Sequence, residues 1–255
     1  ATKMSDCLIV RRGGEVSGVE KDIWSTGASA PASALASIAR HTSQLYNGKI
    51  YCPQHNGTAL HIYDIATDTW STGASAPSPA TRRTSQLHDG KIYCPESGGN
   101  ALHIYDIATD TWSIGATAPI STTRFTSQLY NGKIYCPSSG GTVLHIYDIA
   151  TDTWSTGASA PGPVNRYTSQ LHDGKIYCPQ SNGTALHIYD IATDTWSTGA
   201  SAPASTVRYT SQLYNGKIYC PSSGGTVLHI YDIATDTWST GASAPGPVNR
   251  YTSQL

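Results

Sequence analysis

Arg166–Pro203 reads RYTSQLHDGKIYCPQSNGTALHIYDIATDTWSTGASAP. Arg166–Leu171 predicts a first strand, stopped by the turn signal His172-Asp173-Gly174. Lys175–Pro179 predicts a second, followed by the polar turn Gln180-Ser181-Asn182-Gly183. Ala185–Ile191 predicts a third, with large side chains alternating, and Thr195–Gly199 a fourth, closed by Ser201-Ala202-Pro203. Short strands this close together, parted by Asp-Gly or Asn-Gly, predict antiparallel sheet. No segment keeps a 3.6-residue period for long enough to be a helix.

The same unit recurs along the chain. Trp70, Trp112, Trp154, Trp196 and Trp238 are 42 residues apart, and Trp24 belongs to a worn first copy. Thr-Ser-Gln-Leu occurs six times, at 42–45, 84–87, 126–129, 168–171, 210–213 and 252–255. Cys7, Cys52, Cys94, Cys136, Cys178 and Cys220 form a third set of six. Residues 126–171 and 210–255 are identical, an offset of two units, and a two-unit duplication accounts for that simply.

Four strands per unit and six units predict one all-β domain over 1–255, a six-bladed β-propeller of four-stranded antiparallel blades. The worn unit 1–41 would be completed by 250–255, and regular 42-residue units run from 42 onward. Reading from Leu255 on to Ala1 keeps the register, because seven residues ending in Cys follow Thr-Ser-Gln-Leu elsewhere and Cys7 supplies that Cys. N- and C-terminal strands sharing one blade would therefore close the ring.

Composition agrees with many short strands and turns. The 255 residues include 24 Gly, 14 Pro and 16 Tyr but one Phe and one Met. Sixteen Lys+Arg face 17 Asp+Glu, a net charge of −1, which argues against gripping nucleic acid or an anionic membrane. No apolar run approaches the roughly 18 residues of a membrane span. Ala1–Cys7 shows no apolar run of the signal-peptide kind.

The residues resemble the kelch repeats. Their pattern places a Trp seven residues after a Tyr, with an Asn-Gly or Asp-Gly turn upstream. Tyr63–Trp70, Tyr105–Trp112, Tyr147–Trp154, Tyr189–Trp196 and Tyr231–Trp238 match it, as do Asn47-Gly48 and its copies. The resemblance covers about five-sixths of the chain, in phase. It departs after the second strand, where kelch units carry paired glycines. Here the stretch reads Cys52-Pro53-Gln54-His55 or Cys136-Pro137-Ser138-Ser139, with Gly98-Gly99, Gly140-Gly141 and Gly224-Gly225 coming later. The resemblance implies a propeller whose loops on one face bind partners, often acidic peptide segments.

Near-identity between copies disfavours an enzyme, since catalysis needs different residues converging on one point. Gly-x-Ser-x-Gly, His-Glu-x-x-His and Cys-x-x-Cys are all absent. Copper-radical oxidases on a kelch-like frame use an asymmetric set of Tyr, Cys and His, and no such set stands out. No cofactor and no metal are expected. Six equivalent Cys on a ring of about 10 Å radius or more lie beyond the roughly 7 Å reach of a disulfide. They are expected as reduced, buried thiols that pack as small core residues.

Arg40, Arg82, Arg124, Arg166, Arg208 and Arg250 each stand two residues before Thr-Ser-Gln-Leu and are the candidate ligand-binding set. At one mouth of a channel they would concentrate positive potential and hold a carboxylate, sulfate or phosphate by forked hydrogen bonds. The competing reading pairs each with an Asp such as Asp64 or Asp68. The aromatics beside them, Phe125, Tyr167, Tyr209 and Tyr251, either stack on a ligand or pack between blades. Gln44, Gln86, Gln128, Gln170, Gln212 and Gln254 are expected to line the channel with a water network. His61, His103, His145, His187 and His229 read as packing or surface residues. Asn56-Gly57-Thr58 and Asn182-Gly183-Thr184 match the glycosylation sequon, which matters only in a secreted chain.

The function expected is a non-catalytic binding or scaffold module presenting loops and the Arg set to a protein or acidic ligand. Two alternatives are a carbohydrate-binding propeller with Tyr- and Trp-lined pockets and a purely structural repeat.

Overall fold

Each repeat begins with a two-residue hairpin whose residues both take positive φ, Asn47 at 46° and Gly48 at 72° in the first copy. That geometry matches the right-handed twist of the strands it joins, and Asn-Gly and Asp-Gly adopt it with least strain. The same turn recurs at Asp89-Gly90, Asn131-Gly132, Asp173-Gly174 and Asn215-Gly216. A second, four-residue turn ends on an Asp at positive φ, Asp68, Asp110, Asp152, Asp194 or Asp236. In that turn Asp106 Oδ1 accepts the amides of Ala108 and Thr109, the local bonding that makes Asp a turn former.

The computed structural model describes residues 27–29, 41–247 and 249–250. They form five four-stranded sheets in simple meander order. The first is β1 (Gln44–Tyr46), β2 (Lys49–Pro53), β3 (Leu60–Asp64) and β4 (Thr69–Gly73). The second is β5 (Gln86–His88), β6 (Lys91–Pro95), β7 (Leu102–Asp106) and β8 (Thr111–Ile114). The third is β9 (Gln128–Tyr130), β10 (Lys133–Pro137), β11 (Leu144–Asp148) and β12 (Thr153–Thr156). The fourth is β13 (Gln170–His172), β14 (Lys175–Pro179), β15 (Leu186–Asp190) and β16 (Thr195–Thr198). The fifth is β17 (Gln212–Tyr214), β18 (Lys217–Pro221), β19 (Leu228–Asp232) and β20 (Thr237–Thr240).

Two expectations are corrected here. Six blades closed by a shared terminal blade were expected; the described residues form five separate four-stranded sheets. Cys7, Trp24, Arg40, Tyr251, Gln254 and the 251–255 stretch meant to clasp the ring lie outside the described residues. The innermost strand is also shorter than expected, Gln170–His172 instead of Arg166–Leu171. Residues 165–169 bond to other repeats instead of a ladder: Asn165 O accepts the Ser181 amide, Arg166 N donates to Ser139 Oγ, and Ser169 accepts from Gln128.

Alternation along the strands explains why both faces of a sheet are dry. In β10, Ile134 and Cys136 face back onto Tyr93 and Leu102 of the preceding sheet. Tyr135, between them, faces forward onto Ile176 and Cys178 of the next. In β11, Leu144 faces forward and Tyr147 back. Each apolar cluster therefore lies between two sheets, and no sheet buries its own faces alone. Cys94, Cys136, Cys178 and Cys220 are buried reduced thiols in these seams, and Cys52 is buried in the first sheet. Burial pushes the thiol pKa of Cys94, Cys136, Cys178 and Cys220 up to about 12, so they are inert core atoms at neutral pH.

Candidate functional site

The arginine column sits in the junction between sheets. Arg82, Arg124, Arg166 and Arg208 are at most 1% exposed. Arg166 shows the pattern. Its Nη1 donates to the carbonyls of Ser138 (2.9 Å) and Gly141 (2.7 Å), in the loop after β10 of the preceding sheet. Its Nη2 donates to Gly162 O (2.9 Å) and to His187 Nδ1 (2.7 Å) in β15. The guanidinium carbon stands 5.5 Å from the Trp196 ring, within cation–π range. Arg82, Arg124 and Arg208 repeat the arrangement on His103, His145 and His229. Arg250 donates likewise to Ser222 O and Gly225 O.

Arg82, Arg124, Arg166 and Arg208 are therefore not a cluster at a mouth waiting for an anion, and among the described residues no Asp pairs with them. In all four the Nη donors are spent on backbone carbonyls and one imidazole, which offsets part of the desolvation cost of burying a charge, while the buried Nε has no partner. Asp64 pairs with Lys49 at 3.1 Å, and Asp68 accepts from Tyr63 Oη and the Ala28 amide. A guanidinium only donates, so the Nδ1 it meets must be bare and the imidazole neutral. Burial, and then the neighbouring arginine, hold these histidines below the ordinary value, His145 at about 4. The strand histidines are thus packing residues, one of the two readings the sequence left open, with a partner that sequence did not show.

The glutamines serve the same junctions. Gln44, Gln86, Gln128 and Gln170 each donate from Nε2 to the carbonyl of a Ser in the next repeat, Ser85, Ser127, Ser169 and Ser211, at 2.8–2.9 Å. Beside them Thr84, Thr126 and Thr168 bond Ser127, Ser169 and Ser211 hydroxyl to hydroxyl at 2.7 Å. Where the row was expected to line a channel with a water network, the Nε2 groups make direct rungs between the first strands of neighbouring repeats. Gln212 is half-buried at the last described inner strand.

The residue following each arginine has a different fate. His41, Arg83, Phe125, Tyr167 and Tyr209 come from five consecutive repeats and line one cavity of about 200 Å³. Phe125 and Tyr167 meet edge to face at 4.4 Å, and Tyr167 and Tyr209 lean together at 5.1 Å. The Arg83 guanidinium lies 4.5 Å over the Phe125 ring. His41 stands edge-on to His55 at 4.4 Å. Burial, His55 and then Arg83 drive the His41 pKa down to about 4, so Arg83 carries the fixed positive charge. The three aromatics were read as ligand-stacking or packing residues. Arg83 and His41 were missed, although they occupy the same column of the repeat.

This column breaks the symmetry of the chain. Arg and Thr-Ser-Gln-Leu on either side are constant, while the position between them runs His, Arg, Phe, Tyr, Tyr, Tyr. The first hairpin alternates Tyr-Asn-Gly with His-Asp-Gly, and two further stretches vary less regularly, the loop after the second strand (54–58 and copies) and the approach to the next arginine (78–81 and copies). Bridges pair these two with each other, Gly57 with Ala80, Gly99 with Thr122 and Gly183 with Thr206. Both lie at the end of the sheets opposite the Asn-Gly and Asp-Gly hairpins, so this irregular variation gathers on the face from which the arginines enter, while the hairpin end only alternates between two forms.

No family model and no curated protein matches the chain. Among solved structures it is similar to the crystal structure of the computationally designed Ika8 protein, with 14% sequence identity and a TM-score of 0.59. The match covers 81% of this chain and 63% of that one, so the chain spans under two thirds of that protein's length. At this identity the likeness concerns the fold alone, a repeat β-structure with internal symmetry.

Proposed function

We propose that the chain is a non-catalytic binding or scaffold module, kelch-like in its repeat, that offers its variable face to a protein or an acidic ligand. One observation carries the reading. Five repeats deliver one residue each to a single cavity, and that column is among the few places where near-identical copies differ. A framework of constant junctions with a varied rim is the arrangement of a scaffold that holds binding residues in place. The buried arginines contribute rigidity to this face by fastening its loops, not by touching the ligand.

The test is a titration of the isotope-labelled chain with a polyglutamate peptide, followed by amide chemical shifts. Perturbations are expected at 54–58, 78–83 and their copies. The hairpins at 47–48 and 65–68, at the other end of the sheets, should stay unmoved. Shifts confined to those hairpins, or none at millimolar peptide, would overturn the proposal.

A further inference from the structure

The cavity is polarised. His41 and Arg83 come from neighbouring repeats and supply its basic side, while Phe125, Tyr167 and Tyr209 come from the next three and supply an aromatic wall. Among the described residues no carboxylate pairs with Arg83, and its guanidinium makes no hydrogen bond. Stacked over Phe125, it keeps its N–H fork for a partner lying in the guanidinium plane. At about 200 Å³ the space is smaller than the roughly 300–1,000 Å³ of pockets for drug-sized ligands. It suits one ring-sized group.

Resting on the binding-module reading above, we propose that this cavity takes a planar aromatic carboxylate, the carboxylate forked on Arg83 and the ring against Tyr167 and Tyr209. The two halves of the site require both halves of the ligand. A carboxylate alone gains one exposed ion pair, which is weak in water. A ring alone leaves Arg83 partly desolvated without a partner. Neutral His41 adds one N–H or one lone pair beside Arg83 without a second charge, so a monoanion is matched better than a dianion.

Calorimetric titration with benzoate tests this, with acetate and benzyl alcohol as the two half-ligands. Benzoate should bind saturably at one site per chain, at least about tenfold tighter than either half-ligand. Arg83→Gln should remove that preference over benzyl alcohol, and Tyr167→Ala that over acetate, with circular dichroism unchanged and the melting temperature lowered by no more than about 4 °C. Arg83→Lys, which keeps the charge and loses the fork, should fall between Arg83→Gln and the parent chain. Equal affinity for acetate and benzoate would reduce the site to a plain anion contact and overturn the proposal. So would equal affinity for benzyl alcohol, or benzoate binding untouched by Arg83→Gln. If benzoate fails while polyglutamate still shifts the same face, this inference falls and the module reading stands.

Discussion

Arg166 and Tyr167 are adjacent in the chain and opposite in role. One lies in the junction between sheets, 1% exposed, with every Nη bond spent on two repeats. The other reaches the cavity, half-buried, touching its neighbours only through ring edges and faces. The same pair of fates holds at Arg82 and Arg83, Arg124 and Phe125, Arg208 and Tyr209. The lesson is that the chemically conspicuous residue of a repeat need not be the functional one. A constant arginine here fastens, and the changeable residue beside it carries what differs between repeats.

The largest effect that can break this comparison is Arg166→Leu. It strips the donor from the carbonyls of Ser138, Gly141 and Gly162 and from His187, and should cost about 3–5 kcal/mol. Tyr167→Ala, one residue on, should cost about 1 kcal/mol or less. Denaturant unfolding reads both, and hydrogen exchange at Ser139 and Gly140 should report the opened junction for the first variant only. Similar costs at the two positions would erase the distinction.

Acid should attack the junctions before the carboxylates. The junction histidines have folded pKa values below the unfolded 6.5, His145 at about 4. Their contribution to stability is complete above about pH 6.5 and is lost as the pH falls toward about 4. Asp106 and Asp148 are held below 3.8, first by Lys91 and Lys133, so their contribution survives until the pH drops further. Melting temperature should therefore decline between pH 6.5 and 4, and His145→Gln should flatten that decline. An unaltered slope in this variant would show that the histidines do not set it.

The smallest effect is Gly162→Ala. Gly162 contributes only its carbonyl to Arg166, and a Cβ there meets open space. A change within about 0.5 kcal/mol is expected, because the junction reads backbone oxygen and not a side chain. A loss as large as that of Arg166→Leu would mean that the loop, and not the guanidinium, holds the two sheets together.

Much of the fold is legible in the residues. The Asn-Gly and Asp-Gly hairpins, the second strand Lys175–Pro179 and the antiparallel meander stand where the turn signals put them. These are short-range features, decided by φ preferences and by alternation within a few residues. The count of sheets was less secure, because closing a ring depends on long-range pairing of the two termini. The first strand was overextended because residues 166–169 have strand-like composition but find hydrogen-bond partners in other repeats.

The site was half legible. Phe125, Tyr167 and Tyr209 could be singled out beside the arginines, and the variation of their column could be counted. Arg83 and His41 share that column but look unremarkable one repeat at a time. What the sequence determined alone is the repeat, its turns and its alternating faces, since each depends on neighbours a few residues away. Only the tertiary structure decided that one arginine is buried and the next residue is not. That choice rests on carbonyls arriving from a loop 25 to 28 residues earlier and an imidazole 21 residues later, a convergence no local pattern encodes.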